Sequence, residues 1–92
     1  MKLSNEAEII LSLLSIKPNQ IAELCMLFVY FNPKVSETYH SLEVTININL
    51  KRLMKLKLIK REGTRGQFIY SISHLGLKTL IRHQLRKMIT IT

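Results

Sequence analysis

Over residues 58–73 the spacing of apolar side chains changes from helical to alternating, and this break constrains the fold more than any other feature. Residues 58–62 read as a short strand, Gly63-Thr64-Arg65-Gly66 as a turn, and residues 67–73 as a second strand with Phe68, Tyr70 and Ile72 on one face. Two such strands joined by a turn bracketed by glycines form a β-hairpin. On both sides of the hairpin the pattern is helical, so the chain must hold one small β element inside a helical frame.

Three helices are expected before the hairpin. Ser4 and Asn5 can each cap the first, Asn5-x-x-Glu8 has capping-box spacing, and Ile9, Ile10, Leu13, Leu14 and Ile16 place the helix over 5–16. Pro18 ends it by biasing Lys17 away from helical geometry, and Asn19 is expected to cap a second helix over 20–31. That helix is apolar almost all round (Ile21, Leu24, Cys25, Leu27, Phe28, Val29, Phe31). It should be covered on more than one side, by helices of the same chain or by a second subunit. Asn32-Pro33 closes it, and residues 34–40 read as a polar loop. Ser41 is the expected cap of a third helix over 42–57, with Glu43 in its first turn and Leu42, Ile46, Leu50 and Leu53 as a buried stripe. After the hairpin Ser73 can cap a last helix over 74–89, in whose first turn Gly76 lowers the propensity. Without repeat, linker or low-complexity segment, the 92 residues predict one domain, 1–92.

Charge is divided as sharply as periodicity. The chain carries 14 Lys and Arg against 6 acidic residues, all Glu, for a net charge of +8. Residues 1–50 hold three Lys and five Glu, whereas residues 51–92 hold eleven Lys and Arg and only Glu62, which puts −2 on one half and +10 on the other. A one-sided positive field suits a polyanion, nucleic acid first and an anionic membrane surface second. The longest apolar run, residues 24–31, is eight residues, well short of the roughly 20 that a membrane span requires. The N-terminal stretch has no small-residue cleavage site and does not read as a signal peptide. The single Cys excludes an internal disulfide and fits a reducing, cytoplasmic setting.

The order helix–helix–helix–hairpin–helix, with positive charge running from the third helix into the hairpin, describes a mainly α winged helix-turn-helix: a three-helix core, a wing and a C-terminal helix. The segment from Thr45 to Arg61 reads TININLKRLMKLKLIKR. Together with the hairpin and Tyr70-Ser71-Ile72-Ser73-His74-Leu75-Gly76 it resembles the winged helix-turn-helix transcription regulators, and within them the PadR-like and MarR-like groups. The likeness covers residues 41–77. It departs at Lys57, where the family usually has the Gly that ends the recognition helix, and at Asn47, where PadR-like proteins often carry Tyr. The resemblance implies DNA binding and transcription regulation.

The residues support that reading independently. Opposite the buried stripe, the third helix presents Val44, Asn47, Ile48, Lys51 and Lys55, with Thr45 and Arg52 at the edge. Asn47 can bond adenine bidentately, Val44, Thr45 and Ile48 can meet thymine methyls, and Lys51, Arg52 and Lys55 supply charge for phosphates. A solvated basic surface is the plainer explanation, but two β-branched apolar residues on such a face lack a reason without a partner. Arg65 at the hairpin tip, with Arg61 and Lys60 at its base, can reach a minor groove or phosphate; as a solubilising charge it would do nothing more. On the last helix, Leu77, Leu80, Ile81, Leu85 and Met88 with Ile89 form a stripe wider than one small core needs, which suggests a homodimer seam. Four cations and no Trp make that helix a poor membrane binder.

Other chemistry is sparse. His40, His74 and His83 lack partners at metal-ligand spacing, Cys25 lies on the buried side of its helix, and there is no phosphate-binding glycine loop or paired carboxylate. Neither an enzyme nor a cofactor is expected, and a small-molecule effector is left open. The reading is a homodimer on double-stranded DNA, with no membrane partner. A winged-helix protein-interaction module and a non-specific architectural or RNA-binding protein are the alternatives.

Overall fold

The computed structural model describes the backbone of residues 3–32 and 39–91. Its elements are α1 (Asn5–Ile16), α2 (Ile21–Phe31), α3 (Tyr39–Lys55), β1 (Ile59–Glu62), β2 (Ile69–Ile72) and α4 (His74–Ile91). The mainly α class, the three-helix core, the hairpin and the last helix are all present.

Ser4 caps α1, its Oγ accepting from the Ala7 amide at 3.1 Å. Glu8 does not close a box with Asn5; its carboxylate reaches α4 instead. Asn19 is not the cap of α2. That role falls to Gln20, which forms a capping box with Glu23, because Asn19 is held elsewhere. Its backbone pairs with Tyr70, N–H to carbonyl at 3.0 Å and carbonyl from N–H at 2.8 Å, as a one-residue bridge on the free edge of β2. The turn after α1 is thereby fastened to the hairpin, and Asn19 is buried. Ser41 is likewise no cap, since α3 already starts at Tyr39. The part of the expected polar loop over 34–38 lies outside the described residues, and its last two positions are helical.

The core gathers one face of each element: Ala7, Ile10, Leu11 and Leu14 from α1, Leu24, Cys25 and Phe28 from α2, the expected stripe Leu42, Ile46, Leu50 and Leu53 from α3. Leu58, Ile59, Tyr70 and Leu80 close it from the hairpin and α4. Burial pushes the Cys25 thiol up, with the Glu43 charge adding to the effect, so it is an inert core thiol as expected. α2 packs on α1 and α3 through one side only; Met26, Val29, Tyr30 and Phe31 face outward.

β1 and β2 pair antiparallel in the register Ile59↔Ile72 to Glu62↔Ile69, and the second strand is three residues shorter than the expected 67–73. The end of α3 shows how Lys57 is accommodated where the resemblance to winged-helix regulators led to the expectation of Gly. Lys57 adopts φ 63°, its N–H bonds Met54 O at 2.9 Å and the Leu58 N–H bonds Leu53 O at 3.0 Å. This is a Schellman closure around a left-handed residue. A left-handed side-chain residue costs about 1 kcal/mol, so Lys57→Gly is expected to raise stability by about 0.5–1 kcal/mol, measured as the urea midpoint at unchanged m-value.

Candidate nucleic-acid interface

Along α3 the residues pointing straight away from the core are Val44, Ile48, Lys51 and Lys55, in one line at spacings of four, three and four. Val44 is 45% and Ile48 53% exposed. No burial within the described residues accounts for these two apolar groups, which stand ahead of the cations on the same line. Thr45 and Arg52 flank the line on one side, Asn47 on the other. Asn49, two residues on, is turned inward and donates to Thr45 O at 2.9 Å.

The wing completes the arrangement. Gly63 (φ 102°) and Gly66 (φ 90°) carry the reversal, and at Gly63 a Cβ would lie 2.7 Å from Gln67 O. The Gln67 amide donates to Thr64 O at 2.8 Å, leaving Arg65 exposed at the tip. At the base the Arg61 guanidinium lies 4.0 Å over the Phe68 ring, a stack that restrains its direction while leaving its donors free to bond outward.

Wing and helix face one another across a cleft of about 650 Å³ that Asn47, Lys51, Arg61 and Arg65 all line. Four of the sequence-predicted residues, from two elements 10 or more positions apart, thus share one concave surface. Val44, Thr45, Ile48, Arg52 and Lys55 do not line it and form the adjoining outer face of α3. Gln20, Ile21 and Ala22 at the start of α2, together with Glu43 and Phe68, also line the cleft; the sequence reading did not include them. Phe68 was legible as a member of the apolar alternation, whereas the α2 residues come in only through tertiary packing.

The α4 stripe divides. Leu80 is 3% exposed and belongs to the chain's own core, so its assignment to a dimer seam is corrected. Leu77, Ile81, Leu85 and Met88 lie on the flank beside it and are exposed, Leu85 by 50%. α4 is braced against α1 by Glu8, which receives Lys87 Nζ at 2.8 Å on Oε1 and contacts His83 Nε2 through Oε2. The Lys87 hydrogen bond holds the Glu8 carboxyl below its usual 4.5 against the opposing effect of burial, with the charges of Lys87 and His83 adding to the lowering. A pKa lowered by folding means stability that is complete above pH 4.5 and drains away as pH falls through the folded value. Below pH 4.5 the melting temperature of the wild type should therefore fall more steeply than that of Glu8→Gln. Parallel curves would remove this brace from the stability of α4. Among the described residues no group of three His, Cys or acidic side chains could hold a metal ion, and no helix is long and apolar enough to cross a membrane.

No protein-family model matches the sequence, and no curated protein matches it. Solved structures do. A zinc-responsive MarR family member of Lactococcus lactis, ZitR, superposes with a TM-score of 0.69 at 19% identity, over 99% of this chain and 58% of that one. A Thermoplasma acidophilum protein, provisionally named a transcriptional regulator, superposes with a TM-score of 0.70 at 23% identity over 92% of this chain and 85% of that one. The fold is thus the winged helix found in a MarR family regulator, and this chain spans 58% of the length of the Lactococcus protein.

Proposed function

We propose that the chain is a sequence-specific double-stranded DNA-binding protein that regulates transcription as a homodimer. α3 enters the major groove, with Asn47, Val44, Thr45 and Ile48 toward base edges and Lys51, Arg52 and Lys55 toward phosphates. Arg61 and Arg65 on the wing take the flanking backbone or minor groove. The observation that carries this is the shared cleft of Asn47, Lys51, Arg61 and Arg65 beside the exposed Val44–Ile48 line. Lys51 on the helix wall and Arg61 and Arg65 on the wing fit a phosphate strand, and apolar groups beside an amide fit base edges. The names of the two similar structures, both given to regulators, support the same reading.

The whole chain forms one winged-helix domain, with α4 as the dimer element through Leu77, Ile81, Leu85 and Met88. Leu85→Lys should give a folded monomer with an unchanged circular dichroism spectrum, read by sedimentation; a wild type that is already monomeric at micromolar concentration would end the dimer claim. The central experiment is selection from genomic fragments, footprinting of the recovered sites, and a salt titration. Ten Lys and Arg across two copies should cost about 10³-fold or more in affinity between 50 and 200 mM salt. Binding insensitive to salt would refute the electrostatic face. Protection without sequence preference, or preference for RNA, would place the chain among architectural or RNA-binding proteins.

A further inference from the structure

The end of the recognition helix, the root of the wing and the start of α4 are tied together at one side chain, Ser73. Its Oγ donates to Lys57 O at 2.7 Å and accepts from the Gly76 amide at 3.0 Å. Its N–H donates to Leu58 O at 2.9 Å and its carbonyl accepts from Leu77 N–H at 2.9 Å. Lys57 and Leu58 are the two residues that close α3. Gly76 seats its Cα so near Leu58 O that a Cβ would stand 1.9 Å from it. α4 therefore cannot pivot about its first turn without breaking bonds to the residues that terminate α3.

We propose that Ser73 is a positioning residue that fixes the angle of α4 to the recognition helix and wing, and so sets the half-site spacing that the dimer accepts. The proposal rests on the DNA-binding dimer reading above. The lever is long. Fifteen residues separate Ser73 from Met88, about 22 Å of helix, so a 10° tilt at the joint moves the far seam by about 4 Å. That exceeds the 3.4 Å rise of one base pair, and the two-fold axis doubles it. An oxygen bonded at both its donor and its acceptor side holds such an angle; a methyl does not.

The test uses the full chain on palindromic duplexes built from a half-site recovered by selection, with the separation changed in steps of one base pair. The wild type is expected to lose about tenfold or more in affinity when one base pair is inserted, because the half-sites then rotate out of phase. Ser73→Ala is expected to reduce that discrimination below about threefold while its affinity for a single half-site stays within about twofold. Ser73→Thr, which keeps the hydroxyl, restores the wild-type preference. Lys57→Gly, which relieves the left-handed residue without removing a bond, retains it. Ser73→Ala with intact spacing preference overturns the proposal. So does equal loss on half-sites and full sites, which is a folding effect. A wild type that binds half-sites but tolerates any spacing defeats the positioning role alone, whereas no duplex binding at low salt defeats the underlying reading as well.

Discussion

Gly76→Ala is expected to cost about 3 kcal/mol or more and to lower the melting temperature by more than about 12 °C, the largest effect of any one-carbon change in this chain. The new Cβ would stand 1.9 Å from Leu58 O and 2.9 Å from both the Leu58 carbonyl carbon and Ile72 Cγ1. The first two are backbone atoms, which a rotamer change cannot remove. Leu58 O is also fixed by the Ser73 N–H, and Leu58 N by the end of α3, so relief requires α4 to lift off the hairpin root. Helix propensity alone would predict the opposite sign, since Ala is preferred to Gly in a helix by about 1 kcal/mol. Gly66→Ala serves as the contrast: nothing lies within 4 Å of its missing Cβ, and only φ 90° opposes the substitution. That change should cost about 1 kcal/mol. If urea denaturation placed Gly76→Ala within about 1 kcal/mol of wild type, the close approach of α4 to Leu58 would not hold in solution.

The glycine also shows where reading the sequence stops. Its place in the first turn of the last helix was legible, and so was the cap at Ser73, because both depend on neighbours within four residues. The stripe Leu42, Ile46, Leu50 and Leu53 was legible for the same reason: one face, one period, all four buried. The reason for Gly76 was not, because the clashing atom belongs to Leu58, eighteen residues earlier and in another element. Asn19 misled similarly. A residue that favours caps was assigned one, but Tyr70, fifty-one positions away, had taken its backbone into a β-bridge. Glu8 was read as a capping-box partner of Asn5 and His83 as lacking a metal-ligand partner, since 75 residues separate two groups that fold into contact.

Apolar periodicity failed in a more instructive way on α4. It marks which side chains avoid water but not against what. Leu80 and Leu77, three residues apart, were read as one stripe, yet the helix turns the first into the chain's own core and the second outward. A stripe wide enough to serve two surfaces has to be divided by knowing where the first one lies. On α3 the division was clean, because the polar face left only one side able to be buried. The sequence therefore placed Val44, Asn47, Ile48, Lys51 and Lys55 on the outward side. Which of them share a cleft with the wing depends on the angle of the hairpin, and of these five Asn47 and Lys51 line it.

That division predicts different behaviour for Asn47→Ala and Lys51→Ala, although both residues line the same cleft. Asn47 offers an acceptor and a donor, which in the major groove match the N6 and N7 of adenine and the edge of no other single base. Its loss is expected to cost about 1–3 kcal/mol on the selected site, about 5- to 150-fold, to leave random duplex almost unaffected, and to flatten preference at one base-pair position in each half-site. Lys51, a point charge one turn further along toward Arg61 and Arg65, carries no such pattern. Lys51→Ala is expected to weaken specific and random duplex by the same factor and to lower the salt slope by about one per protomer. The two substitutions are separated by competition binding on the selected and scrambled duplexes at two salt concentrations. Equal losses on both duplexes for Asn47→Ala would move it to the phosphate-contacting class, and a base preference altered by Lys51→Ala would place that side chain at a base edge. Either outcome would turn α3 about its axis in the groove. Val44 and Ile48 would then have to be matched to different thymine methyls, since one helix cannot present all its flanks to the bases at once.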